Sequence, residues 1–135
     1  MSETTRPVST GDTESPGMVK RFHAACVGAA ARKADVPEGE WYTSLDDIGR
    51  RFGVAPRLMV LHAVNLLPRI TAAEIEEHPG LAVAHWLVLA DLIPEAGPYR
   101  TNWIVRAEQM RLTAKMLRTD LQAGLAALAR EKAQA

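Results

Sequence analysis

Histidine, cysteine and glutamate side chains are the first candidates for chemistry in this chain of 135 residues. His23 and Cys26 stand three apart on a predicted helix and could supply two ligands to zinc, but no second pair at zinc spacing appears. We therefore expect a half-exposed histidine beside a packed cysteine. His85, next to Trp86, fits a hydrogen-bonded core histidine better than a catalytic base. A solvated helix face explains the glutamates better than an acid/base pair does: Glu74, Glu76 and Glu77.

The sequence contains no glycine loop that could cradle a phosphate and no nucleophile elbow. We therefore expect a protein that is not an enzyme and that uses no metal and no cofactor.

Basic side chains concentrate in two segments of a chain whose formal net charge is zero. Residues 42–70 carry four arginines against two aspartates, and residues 98–118 carry four arginines and one lysine against one glutamate. Residues 71–97, between them, hold five carboxylates and neither Lys nor Arg. If the two basic segments share a face, they form a phosphate footprint for DNA. Taken alone, the pattern fits ordinary solvated helix faces equally well.

Composition restricts the class of protein. Hydrophobic residues make up 47% and aromatic residues 5% of the chain, so the core must be mainly aliphatic. The single Cys26 cannot form an intramolecular disulfide, which favours a reducing compartment. No apolar run has the length of a membrane span, and the N-terminus lacks the apolar core of a secretory signal. We expect a soluble, cytoplasmic protein without a membrane partner.

Apolar spacing and helix caps predict an all-α fold of about seven helices, because no segment alternates with period two long enough to form a strand. Residues 1–16 lack large apolar groups and are predicted to be a disordered tail, and residues 17–135 a single helical domain. Pro37 and Gly39 should break the first helix, and caps are expected at Ser44, Thr71 and Thr113. The remaining helices are predicted over 56–67, 81–93 and 99–110.

The segment 44–67 has the spacing of a helix-turn-helix. Ile48 and Phe52 lie four apart on the inward face of the first helix, and Gly53 stands where a tight turn tolerates a positive φ. Val54 and Met59 are expected to anchor the second helix against the first.

The chain from Trp41 to Leu121 resembles the DNA-binding core of ParB-type plasmid and chromosome partition proteins, and small regulators of actinobacterial plasmids and phages. The similarity lies in the order and spacing of ITAAEIEEHPGLAVAHWLVLADL and WIVRAEQMRLTAKMLRTDL after the helix pair. It implies a helix-turn-helix protein that binds double-stranded DNA. The nucleotide-binding domain of full partition proteins has no counterpart here, so CTP-dependent clamping is not implied.

One departure from that family concerns the second helix, which should present polar side chains to DNA bases. Here its outward positions are predicted to be apolar, and a helix that is apolar all round is normally buried or in an interface. The predicted DNA contacts are Arg50, Arg51, Arg57, His62, Asn65, Arg100, Arg111, Lys115 and Arg118. The predicted dimer or partner interface comprises Val60, Leu61, Val64, Leu121, Leu125 and Leu128.

Two functions therefore remain open. The first is a dimeric DNA-binding regulator, either a transcriptional repressor or a partition-like protein. The second is an all-helical interaction module with helix-turn-helix architecture, whose apolar second helix docks a protein partner or a second copy.

Overall fold

The computed structural model describes residues 15–54 and 56–134, which form seven α-helices, one short 3-10 helix and no β-strand. The helices are α1 (Pro16–Arg32), α2 (Glu38–Phe52), α3 (Arg57–Leu66), the 3-10 helix Leu67–Arg69, α4 (Ala72–Glu77), α5 (Val83–Leu92), α6 (Pro98–Gln109) and α7 (Ala114–Gln134). The all-α prediction is confirmed. None of the described helices is both long and apolar enough to cross a membrane.

The first helix starts earlier than predicted. Residues 1–14 of the predicted tail lie outside the described residues, but Ser15 and Pro16 already belong to the start of α1. The Ser15 hydroxyl accepts a hydrogen bond from the Met18 amide at 3.2 Å, and Pro16 occupies the first helical position, where its missing N–H is harmless.

The start of α2 differs from the prediction by about two helical turns. Pro37 stands at its N-cap position, and Gly39 and Ser44 lie inside the helix. The Ser44 hydroxyl donates to the Glu40 carbonyl at 3.2 Å and caps nothing. The cause is Trp41, which is buried and donates from Nε1 to the Ala29 carbonyl at 2.7 Å. Packing of this indole against α1 extends α2 beyond the start that its local sequence suggests.

Two predicted caps are confirmed. Thr71 accepts from the Glu74 amide at 3.0 Å while the Glu74 carboxylate accepts from the Thr71 amide at 2.9 Å, a complete capping box. Thr113 accepts from the Met116 amide at 3.1 Å and begins α7.

The core is built from buried side chains of all seven helices. Helices α1, α2 and α3 pack against one another, and α5 packs against both α3 and α7. His85 of α5 is buried, accepts at Nδ1 from the Ala82 amide at 3.0 Å, and donates from Nε2 to the Leu112 carbonyl at 2.7 Å. It is the hydrogen-bonded core histidine that the sequence indicated.

Within the core, Arg100 differs most from its predicted environment. Its side chain is 0% exposed and joins α6 to three other parts of the chain. Nε and Nη2 donate to the two Glu74 carboxylate oxygens at 2.9 and 2.7 Å. Nη1 donates to the Ile93 carbonyl at 2.9 Å, and Nη2 also donates to the Arg69 carbonyl at 3.0 Å. The prediction that Arg100 contacts DNA is therefore wrong, because its donors are consumed inside the protein.

Glu74 completes this network as a carboxylate. Burial raises the pKa of Glu74, but hydrogen bonds from Arg100 and from the Thr71 amide outweigh that effect, and the net pKa lies below the ordinary value. The pair stays ionised because each charge has its partners in place.

Replacement of Arg100 by Met should lower the free energy of unfolding by about 3–5 kcal/mol, because it leaves Glu74 and two carbonyls without their partner. The measurement is urea unfolding followed by circular dichroism. The control is Arg106→Met on the same helix, where an exposed guanidinium lies 5.2 Å from the Trp103 ring and its loss should cost no more than about 1 kcal/mol. Equal small losses in the two variants would contradict the structural role of Arg100.

The end of α6 holds a non-glycine residue in a left-handed conformation. Arg111 has φ 53°, its amide donates to the Glu108 carbonyl at 3.4 Å, and the Leu112 amide donates to the Ala107 carbonyl at 3.0 Å. These bonds form the helix-ending motif in which the left-handed position favours glycine. α2 ends in the same way with Gly53 at that position, where φ is 68°.

Arg111→Gly should therefore raise the free energy of unfolding by up to about 1 kcal/mol, since it relieves the left-handed strain at some cost in chain entropy. Arg111→Ala is the matched control, because it removes the same side chain but keeps the strain, and it should bring no gain. The urea midpoints of both variants are the measurement. A higher midpoint in the alanine variant would show that the stabilisation comes from loss of the arginine side chain and not from relief of backbone strain.

Candidate functional site

The turn between α2 and α3 depends on two glycines. Gly53 has φ 68° and the Val54 amide donates to the Gly49 carbonyl at 2.9 Å. A Cβ at Gly49 would stand 2.6 Å from the Val54 carbonyl oxygen, so no larger residue fits without a backbone shift. The chain therefore reverses directly against α2, and this places the beginning of α3 beside Asp46 and Arg50.

The rotation of α3 about its axis differs from the prediction. Val60 is 0% exposed and Val64 and Ala63 are also buried, so their spacing of three and four residues defines the inward face. The prediction that Val60 and Val64 face outward as an interface is wrong, because α1, α2 and α5 all pack against this side of α3. Leu61 is only partly buried.

The outward face of α3 carries Leu58, His62 and Asn65. Leu58 is 73% exposed, and His62 and Asn65 are exposed one and two turns further along. Met59, expected to anchor α3 against α2, is instead 40% exposed. The surface offered to a partner is thus mixed, with two polar side chains and two apolar ones.

Arg57 at the start of α3 is held by α2. Its Nε donates to Asp46 Oδ1 at 3.1 Å and its Nη2 donates to Asp46 Oδ2 at 2.8 Å. The guanidinium lies 5.5 Å from the centre of the Tyr42 ring and its side chain is 49% exposed. The hydrogen bond from Arg57 lowers the pKa of the Asp46 carboxyl, so this aspartate is a carboxylate at neutral pH.

The two neighbouring arginines of α2, Arg50 and Arg51, lie in different surface recesses. Arg50 shares an open groove of about 450 Å³ with Asp46 and Arg57, and it pairs with Asp47 one turn earlier on its own helix. Arg51 instead lines a recess between α1 and α2 together with Arg32. The structure therefore brings Arg50 and Arg57 together at the turn and separates Arg51 from them.

The second basic segment lies at the junction of α6 and α7. Arg111 and Lys115 are exposed, whereas Arg118 donates to Asp91 of α5 at 3.3 Å. α5 packs against both α3 and α7, and the two basic segments also touch where Arg100 donates to the Arg69 carbonyl. That both segments face one DNA molecule stays a prediction.

Four leucines recur at helical spacing along α7 and form a leucine stripe: Leu117, Leu121, Leu125 and Leu128. Leu121 is fully buried and Leu125 is partly buried, so the prediction of an exposed interface at Leu121 is wrong. Leu128, at 36% exposed, retains the exposure that an interface residue needs. The domain itself therefore covers the first half of the stripe.

An apolar recess of about 210 Å³ lies where α1, α3 and α5 meet. Its lining residues include no Lys, Arg, Asp or Glu: Phe22, Val54, Leu58, Met59, His62, Ala63, Val83 and Leu87. The recess could not be predicted from the sequence, because its residues come from three helices and a turn that are distant along the chain. The correct rotation of α3 would have indicated only its exposed members, such as Leu58.

The histidine and cysteine of α1 are packed. His23 is buried, not half-exposed as expected, and its Nε2 donates to the Ile70 carbonyl at 2.8 Å. Burial raises the pKa of Cys26 to about 12, so its thiol is a poor nucleophile and a poor ligand at neutral pH. Within residues 15–54 and 56–134, no three His, Cys, Asp or Glu side chains are grouped to hold a metal ion.

Comparisons with known proteins give no assignment. No protein-family model, no curated protein and no solved structure matches this chain, and the resemblance to partition proteins stays a prediction.

Proposed function

We propose that this protein is a DNA-binding regulator that places the outward face of α3 in the major groove of double-stranded DNA. The observation that carries the proposal is the rotation of α3, which buries Val60 and Val64 and exposes His62 and Asn65. This weakens the main argument against base contacts, which was an outward face apolar throughout, because two polar side chains now accompany Leu58 and Met59 there.

The exposed side chains of α3 suit base edges. Asparagine can pair with adenine N6 and N7, and an exposed leucine can pack against the thymine methyl group. α3 has ten residues, which corresponds to a length of about 15 Å, short enough to lie within the groove. Arg57 stands at the N-terminal end of the helix, where recognition helices usually make their contacts.

Phosphate contacts are proposed for the exposed basic side chains around α3 and at the start of α7. Arg50 is 73% exposed, and its surface ion pair with Asp47 contributes so little that a phosphate oxygen can replace the aspartate. Lys115 and Arg111 are exposed at the other basic segment. Arg118 would first have to leave Asp91.

The test measures binding to duplex DNA from upstream of the gene for this protein. Fluorescence anisotropy gives the affinity at each of a series of salt concentrations. The wild-type affinity should fall steeply with salt, and Arg50→Ala should reduce the slope of log K against log salt by about one, for one lost phosphate contact. Lys115→Ala reports in the same way on whether the α6–α7 junction touches the same duplex.

Lys132→Ala is the control, since it removes one exposed positive charge from the far end of α7. It should leave the slope unchanged. Equal slopes for Arg50→Ala, Lys115→Ala and Lys132→Ala, or no binding by the wild type, would contradict the proposal.

The apolar recess favours a second candidate function, a homodimer formed through the same face of α3. Leu58 protrudes beside the recess, so a two-fold axis would let each copy insert its Leu58 into the recess of the other. The lining carries no Lys, Arg, Asp or Glu, so two copies of this surface meet without repulsion between such charged side chains. Such a dimer covers Leu58 and His62 and is incompatible with the proposed DNA contact of that helix.

Leu58→Glu distinguishes this dimer from the α7 interface. If the recess forms the dimer, Leu58→Glu should convert it to a monomer in sedimentation velocity at micromolar concentration, because it places a charge in an apolar contact. Leu128→Glu, the matched change at the exposed end of the leucine stripe, should leave that dimer intact. A wild-type monomer, or a dimer that only Leu128→Glu dissociates, would exclude the recess as the interface.

A further inference from the structure

We propose that Asp46 is a positioning residue that aligns Arg57 to recognise a guanine base, so that this pair sets sequence specificity. The inference rests on the proposed function and goes beyond it by naming the base and the residue that orients its reader. It starts from an ion pair that joins two helices across the turn.

The Asp46 carboxylate occupies one edge of the Arg57 guanidinium. Nε and Nη2 each donate to a different oxygen, at 3.1 and 2.8 Å, in the two-point geometry that fixes a guanidinium plane. The guanidinium carbon also lies over the Tyr42 ring, 5.5 Å from its centre. A side chain that would otherwise rotate freely is therefore held by a carboxylate and an aromatic ring.

The adjacent edge of the guanidinium, formed by Nη1 and Nη2, remains available. A guanidinium has five N–H donors, and among the described residues Nη1 of Arg57 has no hydrogen-bond partner. Nη1 and the second hydrogen of Nη2 form a parallel pair of donors on this edge. Guanine presents O6 and N7 as a matching pair of acceptors in the major groove.

Charge favours a base over a phosphate at this edge. Asp46 is ionised and pairs with Arg57 through the neighbouring edge, so the pair is close to neutral and attracts a phosphate weakly. Base acceptors carry no formal charge, and they benefit from aligned donors without repulsion from the carboxylate. Arg50 provides the contrast, because its partner lies on its own helix and no aromatic ring among the described residues lies against its guanidinium. We assign Arg50 to a phosphate and Arg57 to guanine.

The experiment selects duplexes bound by the full-length wild type from a random pool and then measures affinities for the preferred duplex and for duplexes with each G·C pair replaced. Asp46→Asn should reduce the discrimination at one G·C pair by about tenfold, because a neutral amide no longer fixes both donors. Arg57→Lys should lose the same discrimination while it keeps the charge. Neither variant should weaken binding to an unrelated duplex by a comparable factor.

Asp47→Asn is the matched control, since it removes the neighbouring carboxylate and should change affinity for all duplexes by one common factor. Melting temperatures verify that each variant is folded. If Asp46→Asn does not fold, Arg57→Lys still tests whether Arg57 recognises guanine. Retained discrimination in Asp46→Asn or in Arg57→Lys, or wild-type binding without base preference, would overturn the inference and leave DNA binding intact. A wild type that binds no duplex would overturn the proposed function itself.

Discussion

The burial of Val60 and Val64 is the constraint on which the candidate site depends. Three helices pack against this side of α3, so its rotation is fixed by the core and not by any ligand. Once these two valines point inward, the positions of Leu58, His62 and Asn65 on the solvent side follow from the 3.6-residue period. The glycines at the turn add the second constraint, because they let α3 begin close enough to α2 for Arg57 to contact Asp46.

The arginines divide by environment, although they looked alike in the sequence. Arg100 is fully buried and holds α4 and α6 together, Arg57 is half-exposed and fixed in orientation, and Arg50 is exposed with an easily replaced partner. A guanidinium cannot lose its proton, so burial forces it to find acceptors inside the protein. Charge counts along the chain cannot separate these cases, because the distinction lies in which carboxylate or carbonyl each guanidinium meets.

Local signals predicted local structure well. The caps at Thr71 and Thr113 and the left-handed Gly53 are confirmed, since each depends on residues within one helical turn. The start of α2 was wrong because the Trp41 indole reaches the Ala29 carbonyl, twelve residues away. The phase of α3 was wrong because LMVL offers four consecutive apolar side chains, and only the tertiary neighbours decide which of them are covered. Arg100 was misassigned for the same reason, as its partners Glu74 and Arg69 lie 26 and 31 residues away.

The two candidate functions compete for one surface. Leu58 and His62 belong both to the outward face of α3 and to the lining of the apolar recess, so a second copy seated there would exclude DNA from the same residues. A dimer that also binds DNA must therefore use another surface, and the exposed end of the leucine stripe at Leu128 is the predicted alternative. The ion pair at the start of α3 separates the functions chemically. A dimer through the recess needs only apolar contact, whereas base recognition would use the edge of Arg57 that has no hydrogen-bond partner among the described residues.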